Sequence, residues 1–136
     1  MVEDADLAAA MAAVRRALAP GGRFAFETRN PAARAWERWR PENASTIAGP
    51  DGEAVTITTR VTAPYDGRTV SFTHSFTGDH PALPQVSAST LRFLDEAGLE
   101  ALLGAAGLTI LERYGDFDGG PLSAQSPEIV VIAEAA

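Results

Sequence analysis

The sequence predicts an α/β fold that carries an inserted antiparallel β subdomain. Three observations lead there. A segment of helical periodicity runs through Pro20-Gly21-Gly22 into the apolar stretch Arg23–Thr28. Two segments between residues 55 and 77 alternate apolar and polar side chains with a period of two. The run Ile129-Val130-Val131-Ile132 is apolar at every position, as an interior strand requires.

The elements follow in order. Leu7, Ala10, Met11, Val14 and Leu18 fall on one helix face. Asp4 and Asp6 near its start and Arg15 and Arg16 near its end match the helix dipole. The Gly-Gly turn then delivers the chain into a strand at Arg23–Thr28, which is half of a βαβ unit. Asn30 and Pro31 read as the cap and first residue of a short helix from Ala32 to about Trp39. That helix would set Trp36 and Trp39 on nearly one face. After Pro41 the period changes. Val55, Ile57, Thr59 and Val61 form the apolar side of one strand, and Val70, Phe72, His74 and Phe76 that of the next. Asp66-Gly67 between them is a hairpin signal. A third strand is expected from Val86 to Phe93. Asp95 caps a helix running to Ala106, with Leu99, Leu102, Leu103 and Ala106 inward and Gly107 closing it. Leu108–Tyr114 is a strand, and residues 115–127 form a loop. The chain thus reads as a single domain over residues 1–136, with residues 41–93 as its inserted subdomain.

Composition narrows the function. The 136 residues carry a formal net charge of -7. All eleven positive residues are arginine, scattered along the chain, so the basic patch that nucleic-acid binding needs is missing. There is no cysteine, which excludes disulfides, thiolate metal sites and thiol nucleophiles. No stretch approaches the roughly 18 apolar residues of a membrane span. The expectation is a cytoplasmic protein without membrane or nucleic-acid partners.

Three stretches carry a resemblance. Arg16-Ala17-Leu18-Ala19-Pro20-Gly21-Gly22-Arg23-Phe24 is similar to the fourth helix and fifth strand of class I S-adenosylmethionine-dependent methyltransferases. Leu91-Arg92-Phe93 with Leu99, Leu102, Leu103, Ala106, Gly107 and Leu108 resembles that family's fifth helix and the entry to its sixth strand. Gly115-Asp116-Phe117-Asp118, with Ser126-Pro127-Glu128 and Ile129–Ala133, resembles its closing β-hairpin. The resemblance covers nearly the whole chain and implies the C-terminal half of a Rossmann-like methyltransferase domain, with the insertion as a lid over a small-molecule acceptor.

One departure bears on the cofactor. The family holds its donor with a glycine-rich loop after the first strand and a carboxylate after the second. Glycine permits close backbone approach, and the acid accepts from the ribose diol. No GxGxG-like loop occurs in these residues: Gly21-Gly22 precedes a strand, and Gly119-Gly120 lies in a late loop. S-adenosylmethionine is therefore implied by the resemblance but not expected to bind this chain alone. The chain is expected to be inactive by itself, and to be either a homodimer or dependent on a missing N-terminal half. A non-enzymatic ligand-binding or dimeric interaction module is the alternative.

The acceptor is expected beyond the carboxyl end of the strand at 23–28, which points to Arg29 and Asn30. Asn30 also reads as a plain helix cap. Trp36 and Trp39 are candidates for an aromatic wall around the acceptor, or for packing. His74 is a weak candidate for a general base, or a hydrogen-bonded residue of the sheet. His80 reads as an exposed loop residue. No metal site is expected, because the two histidines lack helical ligand spacing and no acidic cluster accompanies them. Asp116 and Asp118 read as turn chemistry.

Overall fold

A computed structural model describes all 136 residues, grouped into two compact units. In chain order the elements are α1 (Asp4–Ala17), β1 (Arg23–Arg29), β2 (Ser45–Ala48), β3 (Ala54–Ala63), β4 (Thr69–Gly78), β5 (Gln85–Arg92), α2 (Glu96–Ala105), β6 (Leu108–Tyr114) and β7 (Glu128–Ala135). The first unit comprises Met1–Arg34 and Phe93–Ala136, and the second is the continuous stretch Ala35–Arg92. Both tryptophans belong to the second unit, ahead of the composition change at Pro41.

The first unit holds a three-stranded sheet in the order β1-β7-β6. Strand β7 runs antiparallel to both neighbours, so β1 and β6 run parallel to one another. The parallel pairing that a βαβ half-unit predicts is absent within the chain, because β7 inserts between the two parallel strands. The opposite edge of β1 carries no strand of this chain. Along β7, Ile129, Val131 and Ala133 are buried and the residues between them half-buried. The buried side packs against Leu99 and Leu103 of α2 and against Leu108. Met11 and Val14 of α1, Leu18 and Phe26 complete the cluster. The helical face read from the sequence is the face that docks. Asp95 Oδ1 accepts from the Gly98 amide at 2.8 Å and starts α2. Gly107, at φ 81°, ends it in the left-handed conformation that glycine adopts without steric cost.

The second unit is built on a four-stranded antiparallel sheet, β2-β3-β4-β5. Strands β3 and β4 lie where the period-two pattern places them, and β5 lies within a residue of the expected third strand. Strand β2 was not anticipated. Its signal is Pro50-Asp51-Gly52, a turn sequence that sends Ser45–Ala48 back onto β3. At the β3–β4 turn, Asp66 Oδ1 accepts from the Thr69 and Arg68 amides, each at 2.8 Å. These bonds, Thr69 first, hold the Asp66 carboxyl below its ordinary value. Such a depressed group supports the turn above the usual carboxylate range and releases it as pH falls through the lowered value.

The helix expected from Ala32 to Trp39 does not form. Two single 3-10 turns, Pro31–Ala33 and Ala35–Arg38, stand in its place, broken at Arg34 with φ 51°. Eight residues are too few to repay helix nucleation without strong packing. Asn30 nevertheless caps the first turn as expected, its Oδ1 accepting from the Ala32 amide at 3.1 Å.

Candidate functional site

The second unit presents an aromatic row along one face of its sheet. Phe72, His74 and Phe76 alternate along β4 and so share that face. The opposing β3 residues are Val61, Thr59 and Ile57. Phe72 and His74 meet edge to face, with ring centroids 5.1 Å apart. Trp39 tilts onto Phe72 at 4.8 Å, and Trp36 stacks on Tyr65 at 4.3 Å. Both tryptophans thus pack on aromatic rings of the second unit. His74 Nδ1 lies 2.8 Å from Thr59 Oγ1, its direct cross-strand neighbour. The ring is half-buried. Sequence reasoning missed Tyr65, which has no periodic neighbours to mark it.

Arg29 and Asn30 lie in the first unit. Arg29 is the exposed last residue of β1. Asn30 is only 6% exposed, and its side chain is fully engaged. Its Nδ2 donates to Ser126 O at 2.9 Å and to Ser123 O at 3.1 Å, while Oδ1 takes the Ala32 amide. The Asn30 amide also donates to Pro127 O at 3.0 Å. Asn30 thus ties the end of β1 to the loop before β7. Ser123 and Ser126 are the partners that sequence reasoning missed, because they lie more than 90 residues away.

His80 is half-buried, and it is not alone. Ligand-type atoms of Asp51, Glu53 and His80 lie within 4.8 Å of one another. The expectation that no acidic cluster accompanies a histidine is corrected here: the unanticipated β2–β3 turn brings the two acids to the β4–β5 loop. Asp118 is spent on turn geometry, with Oδ1 accepting from the Gly120 amide. Asp116 Oδ1 accepts in the same way from the Phe117 amide.

The strand-to-helix passages of the chain lack the glycine-rich loop that the resemblance leads one to expect around a sulfonium nucleoside donor. The chain passes from strand to helical turn at Asn30-Pro31 and from strand to helix at Phe93-Leu94-Asp95, and neither passage contains a glycine. The amide of Gly98 in the first turn of α2 is already taken by Asp95.

Neither a family model nor a curated protein matches the chain. Solved structures do. CcbJ methyltransferase from Streptomyces caelestis superposes with a TM-score of 0.73 at 22% identity, over 100% of this chain and 56% of that one. An S-adenosylmethionine-dependent methyltransferase from Clostridium acetobutylicum gives 0.74 at 17% identity, over 100% and 53%. CalS10 from Micromonospora echinaspora, an amino pentose methyltransferase solved with its donor bound, gives 0.65 at 20% identity, over 97% and 52%. The chain spans about half the length of these structures. No helix in it is long and apolar enough to cross a membrane. At such identities the likeness is one of fold, and the fold that these 136 residues share is that of roughly half of an S-adenosylmethionine-dependent methyltransferase.

Proposed function

We propose that the chain is the acceptor-side half of a small-molecule methyltransferase and that it does not hold the methyl donor by itself. The observation that carries this reading is the full-length structural match to methyltransferases about twice as long. The sheet order supports it. Strand β1 is bonded on one side only, and its seven-residue outer edge suits a further strand of a donor-binding half.

Methyl transfer from a sulfonium requires an oriented nucleophile and, for some acceptors, a base. In this reading the aromatic row of the second unit orients a small acceptor by stacking. In the first unit, taken by itself, Arg29 is the exposed cation that ends β1 and Asn30 holds that end in place. His74 is the base. In the tautomer whose Nδ1–H donates to Thr59 Oγ1, Nε2 is the basic nitrogen, and it then takes a proton from an acceptor amine or hydroxyl.

Calorimetric titration with S-adenosylhomocysteine tests the reading. The 136 residues alone are expected to give no heat of binding. Adding the unmatched part of CcbJ as a separate chain is expected to restore saturable binding. Binding by the 136 residues alone would overturn the claim about the donor. No binding in either case would overturn the claim that this is half of a methyltransferase site.

Self-association is a second reading, favoured by one observation. Strand β5 is an edge strand, exposed from Gln85 to Thr90, and carries no charge over that stretch. Its Val86 is 67% exposed. Uncharged edges without proline pair readily with a second copy. Light scattering at about 0.1 mM is expected to show a dimer that Val86→Lys abolishes. A monomer at that concentration refutes this reading.

A further inference from the structure

The β2–β3 turn builds a pocket that shares only Phe76 with the aromatic row of the methyl-transfer reading. It has a volume of about 270 Å³ and is lined by Pro50, Glu53, Val55, Phe76, Leu83 and Gln85, with His80 beside them. Most of its wall is apolar, and its one acidic wall residue is Glu53. Glu53 folds back over Gly49, where a Cβ would collide with Glu53 Oε1, so glycine is what admits the carboxylate. Glu53 Oε2 accepts from the Asp51 amide at 3.0 Å. Glu53 Oε1 is buried and has no hydrogen-bond partner in the chain. A buried acceptor without a donor is costly, and a carboxylate more so than a neutral group. A second carboxylate, that of Asp51, stands close by.

We propose that this pocket binds the ammonium group of a small organic amine. Glu53 and Asp51 take the charge, and Val55, Phe76 and Leu83 take an apolar body of about one six-membered ring. The size suits a small body, since about 270 Å³ lies just below the usual range of ligand pockets. The charge fits as well: an ammonium brings three N–H groups to a wall that carries the Glu53 carboxylate, with Asp51 beside it. A metal ion fits less well. His80 Nδ1 already accepts from the Ala82 amide at 3.0 Å. That bond puts the ring proton on Nε2, so neither nitrogen offers a lone pair to a metal unless the bond breaks. The inference rests on the second unit alone and stands whether or not methyl transfer occurs.

The test is an amide NMR titration of the 136-residue chain with cyclohexylamine, against cyclohexanol at matched ionic strength. Cyclohexylamine is expected to shift the amides of Glu53, Val55, Phe76, Leu83 and Gln85 saturably. Cyclohexanol, which keeps the body and loses the charge, is expected to bind about tenfold more weakly. Glu53→Gln is expected to weaken the amine about tenfold, and Asp51→Asn, at an exposed position, about threefold. Equal affinity for amine and alcohol would overturn the proposal. So would shifts scattered over other acidic surfaces, or saturation of these residues by zinc ion and not by the amine. Should Glu53→Gln fail to fold, the amine–alcohol comparison on the unaltered chain still decides.

Discussion

Leu103→Ala is expected to destabilise the first unit by about 3 kcal/mol, in the middle of the range for a fully buried leucine. Leu103 has no exposed surface. It sits in the cluster formed by α2, Leu108 and the buried side of β7, with Met11, Val14 and Leu18 packed against that cluster. The loss has two parts. The transfer energy of the deleted methylenes goes, and a cavity remains because sheet and helices relax only partly around it. In a chain of this length the melting temperature should fall by roughly 10 °C. Urea unfolding followed by far-ultraviolet circular dichroism measures the change. Leu102→Ala is the control. Its side chain is only half-buried on the neighbouring face of α2, so its effect should be well under half as large. Equal effects at 102 and 103 would mean that α2 is rotated from the orientation described.

Leu103 also marks what was legible in the sequence. The period of α2, with Leu99 and Leu103 one turn apart and Asp95 and Gly107 at its ends, fixes the helix and its buried face from local information. The alternations of β3 and β4 do the same for the second sheet. Strand β2 is short and fully exposed, so no burial pattern is written into Ser45–Ala48. The helix expected from Ala32 to Trp39 does not form, because Arg34 takes a left-handed conformation that divides the segment into two 3-10 turns. The candidate site was legible only in part. His74 and the tryptophans stood out by residue type and period. The grouping of Asp51, Glu53 and His80 depends on two turns that close about 30 residues apart, and no local pattern encodes it. Asn30 shows the same limit from the other side. Its identity as a cap was readable, but the carbonyls it holds at Ser123 and Ser126 were not.

Asn30→Asp is therefore expected to be more damaging than Asn30→Ala, although it is the smaller change in shape. In Asn30→Ala the Ser126 and Ser123 carbonyls lose their donor and the Ala32 amide its acceptor. Three such bonds at about 1 kcal/mol each give a loss of about 3 kcal/mol, reduced wherever water reaches the partners. In Asn30→Asp the amide acceptor survives, since one carboxylate oxygen still takes the Ala32 amide. The other oxygen replaces Nδ2 and faces two carbonyl oxygens with a negative charge, at a position 6% exposed. Burial and the facing carbonyls both disfavour the ionised form, so the new carboxyl has a raised value in the folded chain. The sign follows directly. A raised group contributes most below its unfolded value and loses that contribution as pH rises through the folded one. Relative to the unaltered chain, Asn30→Asp should be least stable at neutral pH and recover as pH falls toward about 4, where the carboxyl carries a proton and donates one of the lost bonds. Asn30→Ala has no such titration and should show a constant difference. Urea midpoints for both variants across that range separate the two behaviours. A pH-independent loss in Asn30→Asp would mean that the new carboxylate turns out to solvent instead of staying buried against the Ser123 and Ser126 carbonyls.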